Sequence, residues 1–408
     1  MTRSEHWLLP EGIEEMLPEE AARLESLRRR LLDLYAGWGY ELVIPPLVEY
    51  LESLLTGTGR DLDLQTFKLV DPASGRLLGV RADMTPQAAR IDAHALRRDV
   101  PVRLCYLGTV LRTRPDALGG TRCPMQVGAE LYGHAGPESD LEIIALMLET
   151  LACAGVREVH LDLGHVGIFR GMARAAGLDA EAETELFERL QRKALPDLET
   201  WLETAEIPTP YRQAFPALAE LHGGPEILER ARTVLAGQPS DVQAALDALE
   251  DMARRVRSRW PDLPLHLDLA ELRGYAYQTG LVFAAFAPGA GQEIARGGRY
   301  DEIGRIFGRA RPATGFSADL RQLMLLGEPS LPPVRERIFA PPSGEDTALE
   351  SAVAALRAQG HCVIRALPGQ AGADAAAMGC GARLVHREDG WQVEPLDPAP
   401  PGDGAAGT

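Results

Sequence analysis

Short strand-like segments separated by turn signals constrain the fold of this chain more than any other feature of its sequence. Residues 67–70 and 77–81 are largely apolar and flank Asp71-Pro-Ala-Ser-Gly75, a combination typical of a β-hairpin. Two longer segments, 103–112 and 123–132, also have the composition of strands and are joined by a loop. Hairpin-joined strands pair antiparallel, and helical patterns are interleaved with them. We therefore predict an α+β fold in which an antiparallel sheet is flanked by helices.

The length of the chain, 408 residues, exceeds what one hydrophobic core usually holds, so more than one domain is expected. We assign residues 1–328 to a large core domain, within which 166–258 form a mainly helical insertion. A proline-rich stretch, 329–333, has the composition of a linker, and 334–396 have the pattern of a small C-terminal α/β domain. The tail 397–408 is rich in proline, glycine and alanine, which favours disorder.

Charge, hydropathy and cysteine content exclude several function classes. The formal net charge of -17 opposes attraction to a polyanion, so no nucleic-acid partner is expected. No apolar run approaches the roughly 20 residues of a membrane span, and the N-terminus is not a signal peptide, so we expect no membrane association and a cytoplasmic location. The five cysteines form no C-x-x-C pair and are interpreted as reduced thiols. The common nucleotide loops and zinc helices are also absent, so neither a cofactor nor a metal is expected.

Several polar residues lie at predicted strand ends or hairpins, where a sheet could gather them into a binding site. They occur in Arg81-Ala-Asp-Met-Thr85, in Gln126-Val-Gly-Ala-Glu130, and at Arg273 and Tyr300. A free amino acid needs acceptors for its ammonium group and an arginine for its carboxylate, and a polar aromatic side chain needs polar partners and aromatic walls. These residues supply each type of group.

Each of these residues also has a simpler structural interpretation. Thr85 has the sequence position of a helix N-cap, and Asp83 that of a turn residue. Glu130 is equally consistent with a charge at a strand edge, and Arg273 with a salt-bridge partner. Taken singly, none of them establishes a binding site, so the argument depends on their combination.

The order and spacing of these segments over about residues 10–325 resemble the class II synthetase core of histidyl-tRNA synthetase. In that family R-P-E-G-T contacts the ammonium group, and Arg81-Ala-Asp-Met-Thr85 is similar to it with a shortened acid. Motif 2 of the family begins with an arginine and ends Q-x-G-x-E, which Arg112 and Gln126-Val-Gly-Ala-Glu130 match. The histidine-specific R-G-L-D-Y-Y resembles Arg273-Gly-Tyr-Ala-Tyr-Gln278, and G-G-R-Y-D is intact at 297–301. The resemblance implies a histidine site made by Asp83, Thr85, Arg112, Gln126, Glu130, Arg273, Tyr277 and Tyr300.

The departures from the synthetase pattern concentrate on the groups that bind ATP. The R-x-E of motif 2 reads Arg112-Thr-Arg114 here, which reverses the charge of its third residue. Pro124 stands where the family has an aromatic residue that stacks on adenine. The family's G-[LI]-E-R, whose arginine contacts the γ-phosphate, is replaced by Asp319-Leu-Arg-Gln322. We therefore expect no catalytic residues and no adenylation of histidine.

The chain resembles the regulatory subunits of ATP phosphoribosyltransferase, the first enzyme of histidine biosynthesis, more closely. Segments that carry this resemblance are Leu54-Leu-Thr-Gly-Thr-Gly, Asp63-Leu-Gln-Thr-Phe-Lys68 and Gly128-Ala-Glu-Leu-Tyr-Gly-His134. The resemblance implies a non-catalytic subunit that acts with the short-form ATP phosphoribosyltransferase catalytic subunit and carries feedback inhibition by L-histidine as effector. It also implies a homodimer within a hetero-oligomer.

A divergent histidyl-tRNA synthetase is the alternative function. That enzyme would need the motif 3 arginine and an anticodon-binding domain with a basic face. Residues 334–396 are short for such a domain and contain acids such as Glu350, Glu388 and Glu394. The sequence therefore favours the regulatory subunit.

Overall fold

The structure is a computed structural model and divides into two compact units, Met1–Ser330 and Leu331–Thr408. It describes residues 7–56, 60–115, 120–205, 207–270, 277–305, 307–327, 336–342, 346–370 and 374–396. Arg273, the whole of the predicted linker and the predicted disordered tail lie outside the described residues. Among the helices in the described ranges, none is long and apolar enough to cross a membrane.

The first unit combines helices and strands along the whole of its length. Its helices are α1 (Pro18–Gly37), α2 (Leu51–Leu54), α3 (Arg60–Gln65), α4 (Thr85–Arg90), α5 (Pro137–Cys153), α6 (Val166–Ala175), α7 (Ala180–Gln191), α8 (Leu195–Thr204), α9 (Thr209–Glu220), α10 (Ile227–Val234), α11 (Ser240–Arg259) and α12 (Leu320–Leu326). Its strands are β1 (Glu41–Leu42), β2 (Val48–Tyr50), β3 (Phe67–Val70), β4 (Leu77–Val80), β5 (Val102–Thr109), β6 (Met125–Tyr132), β7 (His160–His165), β8 (His222–Gly223), β9 (Leu265–Asp268), β10 (Leu281–Phe286), β11 (Ala295–Arg299) and β12 (Ala313–Asp319).

A nine-stranded sheet in the order β1-β5-β6-β12-β11-β10-β7-β9-β8 organises the first unit. Neighbouring strands are antiparallel except in two pairs, β1 with β5 and β7 with β9. Strands β2, β4 and β3 form a separate antiparallel sheet that contains the predicted hairpin. The predicted α+β class with a largely antiparallel sheet is confirmed.

Helices cover one face of the nine-stranded sheet. Because alternate residues of a strand point to the same side, Val127, Ala129 and Leu131 of β6 all enter the main hydrophobic core. Tyr35 of α1 meets Phe316 of β12 edge to face, with ring centroids 6.4 Å apart. Further core residues on α1 and α5 are Leu24, Leu27, Leu31, Ile143, Ile144, Met147 and Leu151. The intervening polar residues of β6 therefore face the opposite side of the sheet.

Helix α1 begins and ends where its sequence directs. Pro18 is its first residue, and two acids follow in the first turn, where the positive end of the helix dipole favours them. Its buried residues recur every three or four positions, which places them on one side of the helix. Gly37 ends the helix, and Gly39 takes a φ of 80° that turns the chain towards β1.

Between β7 and β9 the chain forms helices α6 to α11 and the two-residue strand β8. Helix α11 packs against α6 and β7, and the rings of Phe169 in α6 and Phe215 in α9 lie 6.2 Å apart. Their apolar residues join the core cluster of the sheet, so this helical region and the sheet are packed together.

The second unit contains helices α13 (Thr347–Ala358) and α14 (Asp374–Ala377) and strands β13 (Arg337–Ala340), β14 (Cys362–Arg365), β15 (Ala382–Arg387) and β16 (Gly390–Pro395). Its sheet has the order β14-β13-β15-β16, with β13 parallel to both neighbours and β15 antiparallel to β16. Asp346 caps α13, since its carboxylate accepts hydrogen bonds from the amides of Ala348 and Leu349.

Local structure differs at three places from what the sequence pattern predicts, namely a helix over 85–96 and strands over 40–44 and 277–286. The helix predicted for 85–96 is α-helical to Arg90, continues as a π-helix over Ile91–Leu96 and ends at Arg97 with a φ of 50°. The strand predicted for 40–44 is limited to Glu41–Leu42. It is an edge strand that pairs with β5 alone, and two prolines follow it in the chain. The strand predicted to start at residue 277 begins at Leu281.

The arginine of the G-G-R-Y-D segment joins the sheet to helix α5. Arg299 is buried, and its Nη2 lies 3.0 Å from Oδ1 of Asp140 in the first turn of α5. It also donates hydrogen bonds to Ser139 Oγ and to the carbonyl oxygens of His134 and Gly136. This cluster fixes the start of α5 against the end of β11.

We predict that Arg299→Met lowers the free energy of unfolding by about 3–5 kcal/mol, because it leaves the buried Asp140 carboxylate without its cation. The matched control is Arg305→Met, which removes an exposed ion pair with Glu302 and should change stability by less than about 0.5 kcal/mol. Urea unfolding followed by tryptophan fluorescence measures both. Equal losses in the two variants would contradict the structural role of Arg299.

Candidate functional site

The face of the sheet opposite α1 and α5 carries a cavity, called here the inner cavity. Strands β6, β10, β11 and β12 form its floor, and residues before α4 and before β10 form its walls. Its lining residues are Asp83, Thr85, Arg112, Gln126, Glu130, Tyr277, Gln278, Val282, Phe283, Ala284, Arg296, Gly297, Tyr300, Gly315, Phe316 and Ser317. Seven of the eight predicted site residues are therefore brought together, and Arg273 lies outside the described residues.

Glu130 is a buried carboxylate at the centre of this cavity. It is 1 % exposed, and Tyr106 donates a hydrogen bond of 2.9 Å to its Oε1. The hydroxyl of Tyr300 donates to Oε2. Burial raises the pKa of Glu130 to about 8, against the opposing effect of the hydroxyl hydrogen bonds. The interpretation of Glu130 as a strand-edge charge is wrong, because β6 lies inside the sheet between β5 and β12.

Two glycines make room for this carboxylate and its donor. A Cβ at Gly315 on the neighbouring strand β12 would lie 1.5 Å from Oε2 of Glu130. A Cβ at Gly128 would lie 2.6 Å from the hydroxyl oxygen of Tyr106. Since no real Cβ tolerates such distances, any larger residue at either position must displace the Glu130 cluster.

A second polar group connects Asp83 to Gln126. The Nε2 of Gln126 donates to Oδ1 of Asp83 over 2.7 Å, and its Oε1 accepts from the amide of Met84 over 2.8 Å. The same Asp83 oxygen accepts from the amide of Thr85, so Asp83 is also the turn residue that its sequence position indicated. Acceptor atoms of a carboxylate and an amide are thus held at the rim of the inner cavity.

The prediction that Thr85 is an N-cap is wrong. The residue before α4 is Met84, and α4 begins at Thr85 itself without a side-chain cap. The hydroxyl of Thr85 is instead 2.9 Å from the hydroxyl of Tyr106, which extends the hydrogen-bonded group around Glu130. The Thr85 hydroxyl therefore pairs with Tyr106 of β5 and does not cap α4.

Residues of the G-G-R-Y-D segment have two different roles, because side chains of β11 point alternately to the two faces of the sheet. Arg299 points towards α5, as described above, whereas Arg296 and Tyr300 line the inner cavity. Asp301 accepts a hydrogen bond of 2.9 Å from the amide of Ala313, which holds the turn beyond β11 against β12. Only Tyr300 of the three side-chain-bearing residues therefore belongs to the site.

Among the residues of the site that sequence reasoning missed are Tyr106, Gln278, Phe283 and Arg296. For Tyr106 a signal exists in the sequence, because a glycine at 128 opposite an aromatic residue in a hairpin allows the ring to cross the strand. Arg296 is two residues from Gly298 and four from Tyr300, so the period of a strand predicts a shared face. Phe283 gave no such signal.

A larger outer cavity adjoins the inner one. The two cavities share Arg112, Gln126, Arg296 and Ser317. The volume of the outer cavity is about 430 Å³ and that of the inner cavity is about 50 Å³. The remaining residues of the outer cavity are Glu14, Gly120, Thr121, Pro124, Gln292, Glu293, Ile294, Ala295, Ala318, Asp319, Arg321, Gln322 and Leu325. Three of the positions that depart from the synthetase pattern, Pro124, Asp319 and Gln322, therefore lie in this cavity.

Arg321 and Arg296, which line the outer cavity, each have a carboxylate partner from this chain. Arg321 lies 2.6 Å from Glu14, and Arg296 lies 3.1 Å from Glu293. Asp319 accepts hydrogen bonds from the amides of Arg321 and Met125 and so caps α12. The cavity therefore presents matched charges of both signs, which is a poor environment for a triphosphate.

Two family models match separate parts of the chain. The family model described as histidyl-tRNA synthetase matches residues 12–323, and the one described as ATP phosphoribosyltransferase subunit HisZ C-terminal domain matches 335–394. The ATP phosphoribosyltransferase regulatory subunit of Thioalkalivibrio sulfidiphilus is 61% identical over 398 residues, covering 97% of this chain and 100% of the relative. That of Pseudomonas aeruginosa is 57% identical over 396 residues, with the same coverage of both chains.

A solved structure supports the class II synthetase fold. It is an ATP phosphoribosyltransferase regulatory subunit/histidyl-tRNA synthetase from Bacillus halodurans, with a TM-score of 0.79 and 28% sequence identity. The match covers 92% of this chain and 96% of that chain. The predicted class II synthetase-like architecture is thereby confirmed.

We predict that Glu130→Gln becomes more stable relative to the wild type as pH rises from about 4.5 to about 8. Between the ordinary pKa of 4.5 and the folded value of about 8, the folded protein holds a proton that the unfolded chain releases. The wild type therefore loses stability through this window and stays at the lower level above it, whereas glutamine does not titrate. Thermal unfolding midpoints of both proteins across this range measure the difference. A constant gap would show that Glu130 is ionised throughout.

Proposed function

Because the chain belongs to the family of ATP phosphoribosyltransferase regulatory subunits, we propose that it acts with a short-form catalytic subunit and inhibits it when L-histidine binds the inner cavity. The observation that carries the proposal is the buried carboxylate of Glu130 in a polar cavity with aromatic walls. No catalytic role is assigned to the chain itself. The coupling between the two subunits would make histidine affinity differ between the active and inhibited assemblies.

The chemistry of the inner cavity suits each part of histidine. Asp83 and Gln126 offer acceptors for the ammonium group, and Glu130 offers a carboxyl group to a ring nitrogen. Tyr277 and Tyr300 supply aromatic walls. Arg112, at the junction of the two cavities, is a cation for the carboxylate. Arg273 has the same role in the proposal on the basis of sequence resemblance.

The outer cavity supports the non-catalytic part of the proposal. A synthetase needs uncompensated cations for the phosphates of ATP and a flat partner for adenine. Here Arg321 is neutralised by Glu14, Pro124 has no π-face, and Gln322 carries no charge. Asp319 adds a carboxyl group next to the place of the phosphates.

The wider assembly is proposed on the basis of the family. We infer a cytoplasmic homodimer that is joined to catalytic subunits in a hetero-oligomer, without nucleic acid or a membrane as partner. The acidic net charge of -17 and the free thiols of all five cysteines, which lie in the described ranges, support this setting.

We expect no histidine-dependent exchange of pyrophosphate into ATP by the purified chain, because Arg296 and Arg321 of the outer cavity are already paired with carboxylates and Gln322 carries no charge for the phosphates. A radiolabelled pyrophosphate exchange assay with excess L-histidine measures this. The control is a purified histidyl-tRNA synthetase under the same conditions. Clear exchange by the chain alone would overturn the regulatory proposal in favour of a divergent synthetase.

We expect Asp83→Asn to shift the inhibition of the reconstituted complex to a histidine concentration about 10-fold higher. The substitution keeps an oxygen for the Thr85 amide but removes the negative charge that would face the ammonium group. Each curve is normalised to its own rate without histidine, and activity is followed as the formation of the phosphoribosyl product.

Asp319→Asn is the matched control, since it makes the same chemical change in the outer cavity and asparagine also caps helices. Its inhibition curve should coincide with that of the wild type. If Asp83→Asn also coincides with the wild type, histidine acts at another site, and if the wild type is not inhibited at all, the proposed regulation is wrong.

A further inference from the structure

The inner and outer cavities follow one another along strand β12. Gly315 and Ser317 line the inner cavity, and Ser317 and Asp319 line the outer cavity. Because alternate residues of a strand lie on the same face, these three residues form one continuous floor. The floor begins at Gly315, which lies against the carboxyl group of Glu130 on the neighbouring strand. A ligand that starts at Glu130 can therefore continue along β12 into the outer cavity.

The floor between Glu130 and the junction of the cavities is about as long as one histidine. Gly315 and Ser317 are two residues apart, which corresponds to about 6.6 Å along a strand. In an extended histidine about 6 Å separates the far ring nitrogen from the carboxyl carbon, as follows from bond lengths of about 1.5 Å. With its ring at Glu130, a bound histidine therefore brings its carboxyl group to the level of Ser317, where the two cavities meet.

The two ends of the bound amino acid have different surroundings. Asp83, the proposed acceptor for the ammonium group, lines the inner cavity alone, and its Oδ1 also accepts from Gln126 and from the amide of Thr85. An acyl group on the ammonium nitrogen would remove the positive charge and would need space at this bonded turn. Arg112, the proposed partner of the carboxylate, lines both cavities. An extension of the carboxyl end therefore has a cavity to enter, whereas an extension of the amino end does not.

The outer cavity has the size and the chemical groups to hold such an extension. Its volume of about 430 Å³ lies in the range of about 300–1,000 Å³ that small-molecule sites occupy, whereas the inner cavity of about 50 Å³ is far smaller. Uncharged side chains that both donate and accept hydrogen bonds line it, namely Thr121, Gln292, Ser317 and Gln322. A peptide unit presents one N–H donor and one C=O acceptor, so these side chains suit it.

We propose that the two cavities together bind short peptides whose first residue is histidine, with the histidyl residue in the inner cavity and the following residue in the outer one. The inference rests on the proposed binding of L-histidine to the inner cavity. In such a peptide the carbonyl of the first residue takes the place of the free carboxylate at Arg112. The chain thereby recognises an N-terminal histidine both in the free amino acid and in a peptide.

Isothermal titration calorimetry on the full chain tests this with L-histidine and two isomeric dipeptides, L-histidylglycine and glycyl-L-histidine. Histidylglycine should bind within about 10-fold of histidine, since a neutral carbonyl replaces a charged acceptor at the junction. Glycylhistidine should bind at least about 100-fold more weakly than histidylglycine, because it lacks the ammonium group beside Asp83 and leaves that carboxylate without its ligand partner. The two dipeptides have the same composition, so the difference reports the direction of the extension.

A variant that fills the outer cavity locates the second residue of the peptide. Gln322→Trp places a large side chain there and should weaken histidylglycine at least about 10-fold, while histidine should bind within about 2-fold of its wild-type affinity. Gln191→Trp is the matched control, because it makes the same substitution at an exposed position at the end of α7. It should leave both affinities within about 2-fold of the wild type.

The outcomes separate this inference from the proposed function. If the wild type binds no histidine, both fail. If it binds histidine but not histidylglycine, or binds the two dipeptides equally well, the inference fails alone. Wild-type affinity of a folded Gln322→Trp variant for histidylglycine would place the peptide outside the outer cavity and overturn the inference as well. Circular dichroism establishes the folding of the variant, and if it is unfolded, the two isomers decide with the wild type.

Discussion

The buried carboxylate of Glu130 is the constraint around which the cavity face of the sheet is arranged. A carboxyl group in this position is tolerable only if it is hydrogen-bonded or protonated, and the structure provides both conditions through two phenolic donors and a raised pKa. The space for it comes from the absence of a Cβ at Gly315 and at Gly128. Residues far apart in the chain are thereby coupled, because a change in any one of them exposes or crowds the same group.

The rigidity of this arrangement comes from the other face of the same strands. Val127, Ala129 and Leu131 alternate with the polar residues of β6 and pack against helices α1 and α5. Arg299 performs a similar function on β11 through its contacts with Asp140 and Ser139. Groups on a packed sheet are held more precisely than groups on loops, so the polar residues of the inner cavity keep fixed positions.

Two adjoining cavities with different electrostatics lie on the same face of the synthetase-like sheet. The inner cavity contains the carboxyl groups of Asp83 and Glu130 and the Oε1 of Gln278, which has no hydrogen-bond partner among the described residues. In the outer cavity, Arg321 is paired with Glu14 and Arg296 with Glu293. A ligand that brings a cation and N–H donors gains new partners in the first cavity, whereas a polyanion in the second would have to displace existing ones.

The sequence by itself determined the class of the fold and pointed to seven of the residues that line the inner cavity. Turn signals and strand periodicity are local properties, so the hairpin of β3 and β4, the helix α1 and the separate C-terminal sheet could be predicted from short segments. Motif order identified Asp83, Thr85, Gln126, Glu130 and Tyr300, because the resemblance preserves their spacing in the chain. Only the tertiary structure decided that Thr85 pairs with Tyr106 and does not cap α4, that Arg299 faces α5, and that Gln278 lies over Gly298. These outcomes depend on which side chains meet across strands that are distant in sequence. A buried donor or acceptor must form a hydrogen bond with the groups that surround it in the folded protein, and these are not its neighbours in the chain.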